Sequence, residues 1–292
     1  MIHQIMDKGV IQGKQYTLPY LCGNPRILYC NMDILNAAGV NETPKTWEEF
    51  LNTAEKIKET QPDKSPYLAE WANPSIGGMN NCFYPFLWQA GGAVFNEEGH
   101  ISLDTPEALK TAQFIYDMKH NGILPDKATS MNAEDVKNAF LEGDVGMVIQ
   151  ACTIAPEVDA AGINWDFTPS LEEKTKGTFI GADGLVIMND SDKKELAAEV
   201  IKVMTSAPVM EEFHKNLLKQ PPITKSEKSY DDERFTEMYE TELDAFQVLP
   251  VVEGSFKVYD SLYKNLQLML QDQLTPEQAL QDTITYAETI QE

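Results

Sequence analysis

Residues 13–47, GKQYTLPYLCGNPRILYCNMDILNAAGVNETPKTW, constrain this chain more than any other stretch. Two apolar runs of strand composition, GKQYTLPY and RILYCN, flank a polar bend at Leu21–Pro25 that holds Gly23, Asn24 and Pro25. Pro19 ends the first run, because proline cannot donate to a sheet ladder. A bend this short fits a hairpin, and it fits equally well one long element passing from one body to another. NMDILNAAG then reads as a short amphipathic helix stopped at Gly39, a residue that enters the left-handed region without steric cost. Thr46 follows as an N-cap, with Glu49 completing a capping box. Trp47, Phe50, Leu51, Ala54 and Ile57 fall on one helical stripe.

Downstream, strand and helix patterns alternate. Residues 1–12 read as a helix end and a loop. Tyr67–Trp71 reads as a short strand, NPSIGGMNN as a loop, FYPFLWQAGG as an aromatic helix ending at Gly91 and Gly92, and AVFNEEGHISL as a hairpin. Asp104 or Thr105 caps a helix with Pro106 at its first position; Leu109, Ala112 and Ile115 face inward and Gly122 stops it. Asn132 caps another helix, Val145–Ile149 is a buried strand, and Asn164–Pro169 is a further strand. Ser191 or Asp192 opens a helix expected to bury Leu196, Val200, Ile201 and Met204. Helices follow over Val209–Leu218 and Asp231–Phe246, and two more close the chain, the second opening with TPEQ. This alternation predicts an α/β fold.

A length of 292 residues allows one large or two ordinary domains. A net charge of −23 argues against nucleic acid as a partner, since phosphate binding needs a basic face. Cys22, Cys30, Cys82 and Cys152 show neither CxxC pairs nor zinc spacing, so they read as small apolar residues; no metal or cofactor is expected. No apolar run reaches the ~18 residues of a membrane span. The first residues lack a signal-peptide pattern. Phosphate-loop, GxGxxG, GxSxG and HExxH signatures are missing. His3, His100, His120 and His214 are isolated and read as surface or tail residues. No catalytic residue is expected.

The segment GKQYTLPY…RILYCNMDILNAAG…PKTWEEF resembles the crossover segment of the extracellular solute-binding proteins that serve ABC importers, in particular the sugar-binding type related to maltose-binding protein. The resemblance continues through FLEGDVGMVIQACT, through GTFIGADGLVIMNDSDKKELAAEVIKVMTS, and into the closing TPEQAL helix. It implies an α/β, two-lobed, type II periplasmic-binding-protein fold. Residues 1–25 and 182–230 would form the N-terminal lobe, and residues 26–181 and 231–292 the C-terminal lobe. Crossovers would lie near Pro19–Arg26, Gly181–Gly184 and Ser226–Glu233. By the family pattern the chain starts close to its first crossover, so an N-terminal lobe short of roughly a hundred residues is expected, with sugar binding by this chain alone weakened. The implied role is the substrate-binding component of an ABC transporter. Such a component captures a mono- or oligosaccharide in an interlobe cleft by lobe closure and delivers it to the permease subunits. It would work outside the cytoplasm, touching the membrane only through the transporter or through a lipid anchor that this chain lacks. Two alternatives stay open: a glycan-processing enzyme using a carboxylate pair, and a truncated module that binds nothing.

Sugar rings stack on flat aromatics, and their hydroxyls both donate and accept, so they call for Asp, Glu, Asn and Arg on strand-end loops. Asn24 in the crossover bend, with Arg26 beside it, occupies a place where family members contact ligand. Trp71 is a stacking platform or a core plug. Asn80 and Asn81 match a ligand loop of the family. Thr153 stands where the family often has Trp, with Gln150 and Cys152 as weaker candidates. Asp183 in GADG can accept hydroxyls. Glu253, Phe256 and Tyr259 occupy the turn where the family often puts a stacking aromatic, although Tyr259 also fits a helix core.

Overall fold

A computed structural model of the protein describes residues 10–11, 13–72, 76–214, 232–250 and 252–291. The chain divides into two compact units, Met1–Pro25 with Ile180–Val248, and Arg26–Phe179 with Leu249–Glu292. In chain order the main strands are β1 (Leu18–Gly23), β2 (Arg26–Asn31), β3 (Ser65–Leu68), β4 (Val145–Ala151), β5 (Trp165–Thr168) and β6 (Gly181–Leu185). The main helices begin with α1 (Met32–Ala37), α2 (Trp47–Thr60), α3 (Met79–Cys82), α4 (Tyr84–Gln89) and α5 (Pro106–His120). They continue with α6 (Ala133–Leu141), α7 (Lys194–Met204), α8 (Glu233–Thr241), α9 (Ser255–Leu270) and α10 (Pro276–Gln291).

The bend at Asn24 is not a hairpin. β1 pairs antiparallel with β6 in the first unit, whereas β2 lies inside the sheet of the second. β1 also runs through Pro19 to Gly23, where the sequence reading ended it at Pro19. The register shifts between Pro19 and Leu21, the kind of irregularity at which a strand tolerates proline. Asn24 itself sits at φ 61°, a left-handed conformation that Asn accepts better than most residues.

The sheet of the second unit has the order β3-β4-β2-β5. β3 and β4 are parallel, while β2 runs antiparallel to β4 and to β5. β2 and β4 are buried along nearly their whole length, which is why RILYCN and VGMVI read as continuous rather than alternating apolar runs. α2 presses Phe50, Ala54 and Ile57 onto this sheet. Phe50 meets the Tyr67 ring edge-on at 5.1 Å, and burying such a side chain contributes about 2–3 kcal/mol. Gly146 lets the helix come close, since a Cβ there would lie 2.7 Å from Ile57 Cδ1. The helix starts follow their caps. Thr46 Oγ1 accepts from Glu49 N, Thr105 Oγ1 from Ala108 N, and Asn132 with Asp135 forms a full capping box. Glu49 reaches back one residue further than expected and accepts from Lys45 N. Residues 93–103 make a single bridge, Phe95 with Ile101, rather than a laddered hairpin. The segment turns at Gly99, with φ 85°, and backbone bonds from Asn96 N to the His100 carbonyl and from Ser102 N to the Val94 carbonyl flank the bridge.

In the first unit α7 departs from expectation. None of its residues is buried: Leu196 is 63% and Val203 64% exposed, and Val200 is exposed as well. The apolar stripe exists, but no described element covers it. Its N-cap is Lys193, with Ser191 Oγ accepting from Lys193 N. His214, read as a surface residue, is buried with a ring nitrogen 3.0 Å from the Tyr20 carbonyl oxygen. The helix expected from Val209 starts earlier, at Ala207 with Pro208 in its first turn; residues 215–218 lie outside the described residues. α8 ends at Thr241, and residues 232–248 group with the first unit rather than the second. The Ile180 N–H donates to the Gln247 carbonyl and ties that segment in. The crossover expected at Ser226–Glu233 lies largely outside the described residues, and the unit boundary falls after Val248. Residues 1–9 are also outside them, while Val10–Ile11 pairs with Lys14–Gln15.

Candidate functional site

Strand direction gathers the site. Because β3 and β4 are parallel and β2 opposes β4, the C-terminal ends of β3 and β4 share one edge with the start of β2. Leu68 pairs with Val148, and Arg26 stands opposite Ala151. Residues just beyond β3 (Glu70, Trp71) and just beyond β4 (Cys152, Thr153) therefore emerge beside Arg26. Such an edge is where open α/β sheets present ligand groups, because strand-end loops are free of ladder constraints.

A hydrogen-bonded ladder crosses this edge. Arg26 Nε donates to Asn81 Oδ1 at 2.7 Å, and Asn81 Nδ2 donates to Glu70 Oε1 at 2.5 Å. Gln150 Nε2 approaches Glu70 Oε2 at 3.4 Å and the Ala133 carbonyl at 3.5 Å. The neighbours dictate which way the Asn81 amide points: guanidinium only donates, and carboxylate only accepts. Glu70 is 1% exposed, and Asn81 and Gln150 are buried too. Burial pushes the Glu70 carboxyl up to about 7, against the opposing pull of the Asn81 bond, its own backbone and the Arg26 charge. Burial likewise lowers Arg26, while Cys152 and Glu70 hold it up. The Arg26 guanidinium lies over the Phe179 ring at 5.2 Å, and the Thr178 hydroxyl donates to the Arg26 carbonyl. The Tyr29 hydroxyl donates to the carbonyls of Ala151 and Cys152, both at 3.1 Å, and fixes the turn that carries Thr153.

In the second unit, some buried polar atoms have no protein partner among the described residues: Trp71 Nε1, Asn80 Oδ1, and the hydroxyls of Tyr67, Tyr84 and Ser255. A buried polar atom left unpaired costs about 1–3 kcal/mol.

Of the residues singled out in the sequence, Arg26 and Asn81 are joined directly. Trp71 and Asn80 each adjoin a ladder member in the chain. Trp71 is a core residue rather than an open stacking platform. It is 1% exposed, and its carbonyl accepts from the Tyr263 hydroxyl and Gln267 Nε2, so its indole N–H alone keeps spare capacity. Tyr259 is likewise core. It is 2% exposed, donates to the Pro250 carbonyl at 2.7 Å, and packs against the Tyr84 and Phe95 rings. Thr153 is half-buried in the turn after β4. Glu253 and Phe256 are exposed at the start of α9 and stand outside the ladder. Asn24 and Asp183 belong to the other unit, Asp183 exposed and paired across the strands with Leu21. Sequence reasoning missed Glu70 and Phe179. The available signal for Glu70 was one acidic residue inside the apolar run YLAEW.

Among relatives, a binding protein of Brucella abortus is 26% identical over 99% of this chain and 71% of its own length. The diacetylchitobiose-binding protein DasA of Streptomyces coelicolor is 26% identical over 68% of this chain and 47% of its own. Among solved structures, maltose-bound MalE3 of T. maritima superposes with a TM-score of 0.80 at 21% identity, covering 98% of this chain and 75% of that one. That likeness establishes an α/β fold of the type II periplasmic-binding-protein kind. The profile of the family described as bacterial extracellular solute-binding protein matches residues 4–211.

Proposed function

The chain belongs to the bacterial extracellular solute-binding proteins, and we propose that its solute is a carbohydrate, captured outside the cytoplasm for delivery to the permease of an ABC transporter. The observation that carries this reading is the sheet edge itself. A donor (Trp71 Nε1) and an acceptor (Asn80 Oδ1), both buried and unpartnered among the described residues, belong to the chain neighbours of Glu70 and Asn81 in a ladder that also holds Arg26 and Gln150. A hydroxyl-rich ring needs both kinds of group in fixed directions, and a buried donor left unmatched selects strongly for a ligand that matches it. The names of relatives and neighbours agree in kind: one binds diacetylchitobiose and another was solved with maltose. Thr153 would line the same edge, Glu253 and Phe256 would contribute from the start of α9, and Asn24 and Asp183 are candidate ligand residues of the other unit. The solute is held by hydrogen bonds and released unchanged.

The test is a thermal-shift and calorimetric screen of mono- and oligosaccharides. A specific sugar raises melting by mass action, about 2.7 kcal/mol of stabilisation at a hundredfold excess over Kd. Trp71→Phe, which deletes the indole N–H, weakens that binding at least tenfold. If no sugar shifts the transition, or if chromatography shows the sugar cleaved, the reading is wrong.

A further inference from the structure

Glu70 is an acid placed where burial disfavours its charge, and carbohydrate capture as described makes no use of that charge. We propose that Glu70 is a positioning residue that makes this sheet edge proton-sensitive: as a carboxylate it holds the Asn81 amide and, through it, the Arg26 guanidinium in place, and as a carboxylic acid it loosens them.

The geometry gives the reason. Asn81 is clamped between a group that only donates and a group that only accepts, with bonds of 2.7 and 2.5 Å. The incoming proton goes to Oε2, the oxygen that faces Gln150 at 3.4 Å, because Oε1 already takes the short bond from Asn81. With Glu70 neutral, the Asn81 bond loses its charge assistance, which is roughly half its strength. Arg26 then keeps its charge while the attraction of the Glu70 carboxylate on it disappears. The Gln150 amide, held only by long contacts, must turn to accept the new O–H.

The titratable groups that face this set come from several elements. Arg26 of β2, Tyr67 of β3 and Cys82 of α3 face Glu70. Cys152, just after β4, faces Arg26, and Tyr263 of α9 faces Cys82. Burial drives Tyr67 and Cys82 well above their ordinary values, and Tyr263 up to about 12. Glu70, at about 7, is the member of the set that changes charge around neutrality. A solute that needs the ordered Arg26 binds only the ionised fraction, so apparent affinity follows that fraction. The fraction falls about tenfold between pH 8 and pH 6 for a midpoint near 7. This consequence for affinity rests on the carbohydrate reading; the response of Arg26 to the proton does not.

The experiment has two arms. In ligand-free protein, the Arg26 Nε–H resonance is followed by 15N NMR from pH 5.5 to 8.5, with the Glu70 carboxyl carbon followed in parallel. The expected result is a shared midpoint near 7 that vanishes from the Arg26 signal in Glu70→Gln. A flat Arg26 signal in the unmodified protein overturns the proposal, and so does a midpoint that survives the substitution. In the second arm, a sugar that binds in the screen is titrated at pH 6 and pH 8. About tenfold weaker binding at pH 6, with no pH dependence in Glu70→Gln, supports the proposal; equal affinity at both pH values overturns its link to binding. If no sugar binds and Arg26 still follows Glu70, the positioning role stands and the carbohydrate reading alone falls.

Discussion

Glu70→Gln has a consequence for stability that can be worked out without any ligand. The carboxyl titrates at about 7 in the folded protein and at 4.5 unperturbed. Between those values the folded chain holds a proton that the unfolded chain has lost. Stability therefore falls as pH rises from about 4.5 to about 7 and is flat above, the reverse of the usual salt-bridged carboxylate. The gap of about 2.5 pH units, at about 1.36 kcal/mol per unit, makes the full loss roughly 3 kcal/mol. Glutamine keeps the shape, an acceptor for Asn81 and no proton to exchange. The variant carries a constant offset from its altered bonds to Asn81 and Arg26, but it lacks the pH-dependent part. Urea unfolding of both proteins at pH 5 and pH 8, followed by tryptophan fluorescence, isolates this difference because every other titrating group cancels. The stability gap between variant and parent should move in the variant's favour by roughly 2–3 kcal/mol from pH 5 to pH 8. A gap that changes by less than about 0.5 kcal/mol would refute the assignment of a buried, near-neutral titration to Glu70.

Four further outcomes follow from the fold. Asn132→Ala removes an N-cap that accepts from two backbone N–H groups and should cost about 1 kcal/mol in denaturant unfolding. Gly146→Val drives a side chain into Ile57 and the Pro66 carbonyl and should cost at least about 1–3 kcal/mol by the same measurement. Tyr259→Phe removes the bond to the Pro250 carbonyl; it should lower stability by about 1 kcal/mol while leaving sugar affinity unchanged, as expected of a core residue. Leu196→Lys with Val203→Lys on the exposed stripe of α7 should reduce binding of a hydrophobic dye with little change in Tm, since neither side chain is buried.

The sequence carried the local grammar well. Thr46, Thr105 and Asn132 announce their helices because capping is settled by the residue and its next three neighbours. The separation of β1 from β2 was legible only as one of two alternatives, because a short polar bend serves a hairpin and a crossing equally well, and the pairing of β1 with β6 decides between them. What did not survive were inferences about coverage. The stripe on α7 is a property of helical periodicity, but its burial depends on what packs against it, and periodicity is silent about that. Trp71 and Tyr259 each stood open in the sequence between a ligand-facing and a core role, and only the surrounding packing decides for the core. Glu70 was overlooked because an acidic residue at a strand end normally reads as a solvated loop residue. Its partners come from α3, eleven residues on, and from β4, eighty residues on, so the local sequence does not show them.

The same residues also explain why the array sits where it does. Arg26 is the first residue of the second unit after one chain crossing, and Phe179 is the last before another. Within that unit the Thr178 hydroxyl donates to the Arg26 carbonyl, and the guanidinium lies over the Phe179 ring. The Thr178–Phe179 segment, which lies outside the four-stranded sheet, is thus tied to the first residue of β2. The side chain that makes the second tie is the one that Asn81 and Glu70 hold. Glu70, Asn81, Arg26 and Phe179 thus form one continuous series of side-chain contacts within the second unit. That series of contacts begins at a buried acid and ends at the residue after which the chain leaves the second unit.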